Sequence, residues 1–342
     1  NTSGTQDGTS WATAYSSFRT ALLNAGAGDA IWVADGTYPT GATRDNSFTF
    51  TGAKDGLQIY GGFQGLSRPG GGETTLDQRN PDAYEAVLTG DVDGDGTLGG
   101  NAYHVFVLDG TNDPITPATV IDGVVITGGN ASGNSFPINA GGGLLCRGEG
   151  GLCNPTIVGV TFRGNRAGFG GAMFNEGEHG GQSRPMIVNS VFVGNEATSN
   201  GGAMLNSGKG TNGQGSPVII NTTFTGNTAG GNGGAMINNG LNGGRAEPQL
   251  TNVILWNNDA TDGAELYNLD ATPTLTHTLI EGGIDGPGVS EDPVNDGGGN
   301  LDADPLFVDA DGLDDTFGTA DDDVRALRTS PVLDAGTNVP FE

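Results

Sequence analysis

Apolar residues recur along this chain in short β-branched runs that alternate with period two, as at Ile187, Val188, Val191 and Phe192, and no amphipathic stretch of helical length interrupts the middle of the chain. Aligned on proline, four such runs read PTIVGVTF from Pro155, PMIVNSVF from Pro185, PVIINTTF from Pro217 and PQLTNVIL from Pro248, spaced 30, 32 and 31 residues apart. The eighth residue of each is Phe162, Phe192, Phe224 or Leu255, and three further on stand Asn165, Asn195, Asn227 and Asn258. A second asparagine follows ten or eleven residues later: Asn175, Asn206, Asn238 and Asn268. A unit this short, made of two or three strands with Gly and Asn at its corners, cannot bury its own inner face and has to stack on copies of itself.

Stacking in parallel at about 4.8 Å per coil sets like over like. The pattern predicts an inner phenylalanine column (Phe162, Phe192, Phe224) continued by Leu255, and a methionine column (Met173, Met204, Met236) continued by Leu266. Asn165, Asn195, Asn227 and Asn258 are expected at a corner, since Asn tolerates the left-handed conformation and its amide can bond to the next Asn in a ladder. Paired glycines before Ala-Met are expected where a Cβ would clash in the turn. These columns are read as scaffold.

The phrases FRGNRAGFGGAMFN, FVGNEATSNGGAMLN and FTGNTAGGNGGAMINN resemble the FxxN and GGA(I/L/V) repeats of the polymorphic outer membrane protein family, with Met where Ile is commoner. The opening DGTSWATAYSSFRTALLNAGAGDAIWVADGTY and the closing SPVLDAG are similar to the ends of secreted bacterial proteins with pectin-lyase-like folds. The resemblance implies an all-β chain folded as a right-handed parallel β-helix (a β-solenoid), on a bacterial surface or secreted. It covers about residues 121–268 through the repeats, and the two ends besides.

One domain is expected, with an N-terminal cap and early coils over 1–120, regular coils over 121–280 and an acidic C-terminal cap over 281–342. Residues 10–25 read as a helix, with Ala14, Phe18, Leu22 and Leu23 at helical spacing, placed to cover the open end of the solenoid. Early strands are expected at 30–33, 47–50, 57–63 and 105–108.

Composition adds the environment. The 64 glycines sit at fixed places between apolar runs, which fits repeated turns better than disorder. With 40 acidic residues against 13 Lys and Arg, the formal charge of −27 argues against nucleic acid or an anionic membrane surface as partner and makes cations the natural companions. No run approaches the length of a membrane span and no signal peptide opens the chain, so an exported form is expected to be a processed one. Cys146 and Cys153 flank RGEGGL at a spacing a loop can close into a disulfide, which would imply an oxidising, extracellular compartment; two free thiols are the alternative.

Two acidic stretches carry the candidate chemistry. In GDVDGDGT, Asp91, Asp93 and Asp95 alternate and Gly96 permits a tight wrap, the oxygen pattern a hard cation such as Ca²⁺ requires. A full EF-hand would need a bidentate acid at position 102, which is Ala102. In DADGLDDTFGTADDD, the group Asp309, Asp311, Asp314, Asp315, Asp321 and Asp323 would repel unless Ca²⁺ or solvent neutralised it. Arg163, Arg166, Glu176, Glu178, His179, Arg184, Glu196, Lys209, Arg245 and Glu247 show no common register and read as loop decoration, and His104 and His277 read as packed strand residues. No catalytic residue is assigned. The loops after Asn175, Asn206 and Asn238 should stand in a row on one side of the rod. The functional expectation is an extracellular structural or adhesive protein that meets a glycan, a protein surface or its own copies end to end. A polysaccharide lyase or glycoside hydrolase, or a glycan-binding module, is the alternative.

Overall fold

The computed structural model describes residues 6–66 and 71–338. The outermost parts of the two expected caps, residues 1–5 and 339–342, lie outside the described residues. One repeat is enough to give the plan. From Pro155 the chain runs through Thr156–Val158, Thr161–Arg163, Arg166–Phe169 and Met173–Glu176, each strand bonded in parallel to the strand one coil earlier and one coil later. These four strands belong to four stacked sheets, here I to IV in the order the chain visits them. Among the described residues sheet I has nine strands, from Ala30–Ala34 to Asn295–Asp296, and sheets II and IV have eight each. Sheet III has five, from Asn130–Ala131 to Asp259–Asp262. The fold is a parallel β-helix.

The columns form as the spacing requires. Phe162, Phe192 and Phe224 are fully buried, with ring centroids 4.6 Å apart and planes within 8° of parallel. Met173, Met204, Met236 and Leu266 pair in register inside sheet IV. At the corner between sheets II and III, Asn165 Nδ2 donates to Asn195 Oδ1, Asn195 to Asn227 and Asn227 to Asn258, at 3.1, 3.0 and 2.8 Å. Each acceptor oxygen also takes the backbone N–H of the asparagine before it, at 3.0–3.1 Å. A second inner ladder links Asn175, Asn206, Asn238 and Asn268 at 2.7–2.9 Å.

One expectation about this corner needs correction. The left-handed residues are Gly164, Gly194, Gly226 and Asn257, each one position before a ladder asparagine, so the ladder residues themselves keep ordinary backbone. The paired glycines of the next turn divide two tasks. Gly170, Gly201 and Gly233 have positive φ, while a Cβ on Gly171, Gly202 or Gly234 would lie 2.2–2.4 Å from a backbone oxygen of the adjoining coil.

The N-terminal helix is shorter than its hydrophobic spacing suggests. A 3-10 turn, Trp11–Thr13, precedes an α-helix over Phe18–Asn24, because Ser17 takes extended backbone and caps the helix by accepting from Thr20 N–H. Phe18 and Leu22 are buried, Phe18 edge-on to Phe48 at 4.7 Å, so the helix covers the core of the first coil, while Leu23 faces solvent. Lys54 Nζ donates to the carbonyls of Leu22, Leu23 and Ala25, satisfying the helix C-terminus. The early strands fall at Ala30–Ala34, Phe48–Thr51, Gln58–Phe63 and Phe106–Asp109.

The C-terminal segment first extends the rod and then returns along it. Val289–Glu291 and Asn295–Asp296 continue sheets IV and I. Beyond them Phe307–Asp309 and Asp323–Ala326 form an antiparallel hairpin that folds back along the flank. Phe317 and Gly318 lie against the corner glycines Gly164, Gly194 and Gly226, and Thr337 exchanges two hydrogen bonds with Asn252.

Candidate functional site

The acidic turn at 91–97 is an insertion at the corner where the second coil passes from sheet II toward sheet IV, between Ala86–Thr89 and Phe106–Asp109. Gly94 and Gly96 both take positive φ, which folds the turn tightly enough to gather the alternating aspartates. One carboxylate oxygen each from Asp91, Asp93 and Asp95 lies within 4.8 Å of the other two. Asp91 also accepts the N–H groups of Gly94 at 2.8 Å and Gly96 at 3.1 Å. Partial burial works against its charge, but these backbone bonds outweigh it and hold the carboxyl below its usual range. At 4.8 Å in a water-like dielectric each like-charged pair costs about 1 kcal/mol, which a bound dication would reverse.

The second acidic stretch is arranged differently. Among the described residues the Asp91 group is the one trio of this kind, and Asp309, Asp311, Asp314, Asp315, Asp321 and Asp323 are not gathered into another. Asp321 accepts from Leu313 N–H and Thr319 Oγ1, Asp314 from Thr316 N–H, and Asp323 pairs with Arg325. The hydroxyl of Thr319 holds the Asp321 carboxyl low, and Arg325 does so for Asp323.

Cys146 and Cys153 are joined as a disulfide inside the core. Their place explains them. Cys146 lies in register with Asn175, and Cys153 with Ser183, so the bridge occupies the rung just before the inner asparagine ladder, where the next coil has Asn175 and Ser183.

Several residues read as loop decoration are instead in register. On the outer side of sheet IV, Asp109, Arg147, Glu176 and Ser207 align across four coils. Arg147 pairs with Glu176 at 3.0 Å and Asp109 at 3.5 Å, while Arg166 pairs with Glu196 across sheet III. Burial pushes the Glu176 carboxyl up to about 7 against the pull of Arg147, and Glu149 and Glu178 add to the rise. His179, held at φ 50°, sets Nδ1 3.0 Å from Glu149 and 3.9 Å from Glu178. His104 is buried, with Nδ1 against Gly141 O at 2.9 Å, and His277 Nδ1 meets Ala335 O at 2.9 Å.

Beside the charged column runs an apolar one, Leu145, Phe174, Leu205, Ile237 and Tyr267, buried on the outer side of the sheet together with Ala140. The signal was present in the repeats: the residue after each Met is also apolar, which breaks alternation where both faces are covered. Glu265 was missed in the same way. It stands in the register of Ala235, where its carboxylate takes Asn258 Nδ2 at 2.7 Å and Asn258 N–H at 3.3 Å, and so closes the corner ladder. Burial pushes this carboxyl up to about 8 despite those two bonds.

The loops after Asn175, Asn206 and Asn238 stack in a row through Gly177 N–H to Ser207 O and Gly208 N–H to Asn239 O. At the far end of the rod a cavity of about 500 Å³ is lined by residues 282–286, Asp296 and residues 299–302. No protein-family model matches the chain, and no curated protein or solved structure matches it either.

Proposed function

We propose that this protein is an extracellular structural and adhesive solenoid of a bacterial cell surface, coat or fibre. Its stacked loops meet a glycan or protein surface, and Ca²⁺ stabilises the turn at Asp91, Asp93 and Asp95. The observation that carries the reading is the unbroken run of side-chain ladders from Asn165 to Glu265, which fixes the coils rigidly while the loops beside them carry sequence variation. A surface rod needs that division: an invariant spine and a variable edge. For the cation, the donor set is all oxygen, which suits a hard ion. Ca²⁺ takes six to eight oxygens, so backbone carbonyls and water would complete the shell. The buried disulfide fits an oxidising compartment.

A second reading, a polysaccharide lyase or glycoside hydrolase, draws on Glu176, a carboxyl that burial pushes up to about 7 and that has two further carboxyl groups, Glu149 and Glu178, nearby. One experiment addresses both readings. The protein is incubated with acidic and neutral polysaccharides, with and without EDTA, while product formation, retention on the polymer and melting temperature are followed. Retention without turnover, and a melting temperature that falls in EDTA, are expected. Released oligosaccharide would overturn the scaffold reading. An unchanged melting temperature in EDTA, matched by a variant carrying Asp91→Asn, Asp93→Asn and Asp95→Asn, would remove calcium from it.

A further inference from the structure

The flank of sheet IV beside the stacked loops combines an exposed aromatic ring with side chains of both charges. Phe136 is 40% exposed, whereas Phe162, Phe192 and Phe224 are fully buried. Two side chains hold Phe136 in place: its ring lies 5.8 Å from that of Phe174, tilted by 53°, and the Arg147 guanidinium stands 5.6 Å from its centroid. Around Arg147 are Asp109 and Glu176, and one loop further out His179 bridges toward Glu149 and Glu178 of two successive coils. Glu178 is fixed in turn by Ser207 Oγ. Four carboxyl groups thus face one guanidinium and one imidazole, and the raised pKa of Glu176 registers the burial and that local excess of negative charge. Lys209, whose carbonyl accepts the His179 N–H, is the one lysine near these loops.

Backbone recognition is closed here. The strands at 144–147, 173–176 and 204–207 are each paired on both sides by neighbouring coils, so no peptide strand can add to this flank. Recognition has to pass through side chains: a flat apolar ring for stacking and carboxylates for cationic hydrogen-bond donors. We propose that this flank binds a glycan bearing protonated amino groups, one sugar face resting on Phe136 and its ammonium groups meeting Glu149, Glu178 and Asp109. The proposal deepens the adhesive reading by naming the class of glycan, and it rests on that reading only for the choice of glycan over protein.

The test is calorimetric titration of the intact chain with a glucosamine hexasaccharide, its fully N-acetylated counterpart and an oligogalacturonate, in 0.15 M salt, where general attraction to a chain of charge −27 is screened beyond about 8 Å. The amino form is expected to bind at least about tenfold more tightly than the acetylated form, and the galacturonate not at all. Phe136→Ala and Glu149→Gln should each weaken it about tenfold. Phe136→Tyr should retain it, and Asp311→Asn with Asp314→Asn should leave it unchanged. Melting curves establish that each variant is folded. Equal affinity for the amino and acetylated forms, or undiminished binding by folded Phe136→Ala, would overturn the proposal, the second outcome marking diffuse charge attraction. If the amino sugar fails while neutral or acidic glycans bind, this inference falls and the adhesive reading stands. If no polysaccharide is retained at all, this inference falls and the adhesive reading is left with a protein surface as its partner.

Discussion

Replacing Asn227 by alanine tests whether the corner ladder holds the coils together. Asn227 is fully buried, and its Oδ1 accepts both the N–H and the Nδ2 of Asn195 at 3.0 Å. Its Nδ2 donates to Phe192 O at 2.9 Å and to Asn258 Oδ1 at 2.8 Å. Alanine removes all of these and leaves the Asn195 N–H in the core with no acceptor, while Asn195 Nδ2 keeps Phe162 O and Val193 O. An orphaned buried donor costs about 1–3 kcal/mol and each remaining lost bond about 1 kcal/mol, so a loss on the order of 4 kcal/mol is expected. Asn221 provides the control, because it belongs to an exposed ladder at another corner, bonded to Asn189 and Asn252 and held at φ 50°. Asn221→Gly keeps the left-handed backbone, removes the amide to which water has access, and should change stability by no more than about 0.5 kcal/mol. Urea unfolding followed by circular dichroism measures both, with the slope checked for constancy so that midpoints report stability. A cost below about 1 kcal/mol for Asn227→Ala, or similar costs for the two variants, would refute burial as the source of the ladder's strength.

Other outcomes follow from single features. Glu265 has a folded pKa near 8 against an ordinary value of 4.5, so its neutral form is the one the fold favours. Its contribution is complete below about pH 4.5 and is lost as pH rises toward 8. Glu265→Gln should therefore flatten the stability profile across that window by a few kcal/mol, read from urea midpoints at successive pH values. A profile that stays parallel to wild type would place the carboxyl's titration elsewhere. Removing the disulfide with Cys146→Ser and Cys153→Ser releases a short loop and should cost about 2 kcal/mol, measured by the same unfolding. Lys54→Met leaves the carbonyls at the helix C-terminus without their ammonium partner and should lower stability by about 1 kcal/mol, with faster hydrogen exchange confined to the first coil.

What the sequence determined by itself is the repeat and its register. Side-chain period in a strand is two, and Phe162, Phe192 and Phe224 each stand seven residues after the proline that opens their coil, so stacking the coils forces them into one column. The same reasoning places Met173, Met204 and Met236, and the two inner asparagine ladders. What only the tertiary structure decided lies where the chain departs from repetition. The left-handed corner residue proved to be Gly164 or its equivalent and not the asparagine beside it, because backbone conformation at a turn depends on which neighbour must clear the adjoining coil. Asp109, Arg147 and Glu176 are scattered in the sequence and joined only by the register of sheet IV, while Glu265 becomes a ladder terminus only because the next coil has no asparagine to offer. The C-terminal aspartates sit on a hairpin that returns along the flank, and no local pattern encodes a contact between Phe317 and Gly226, ninety-one residues apart. Local rules fix what each coil is, and long-range packing fixes what the irregular segments lie against.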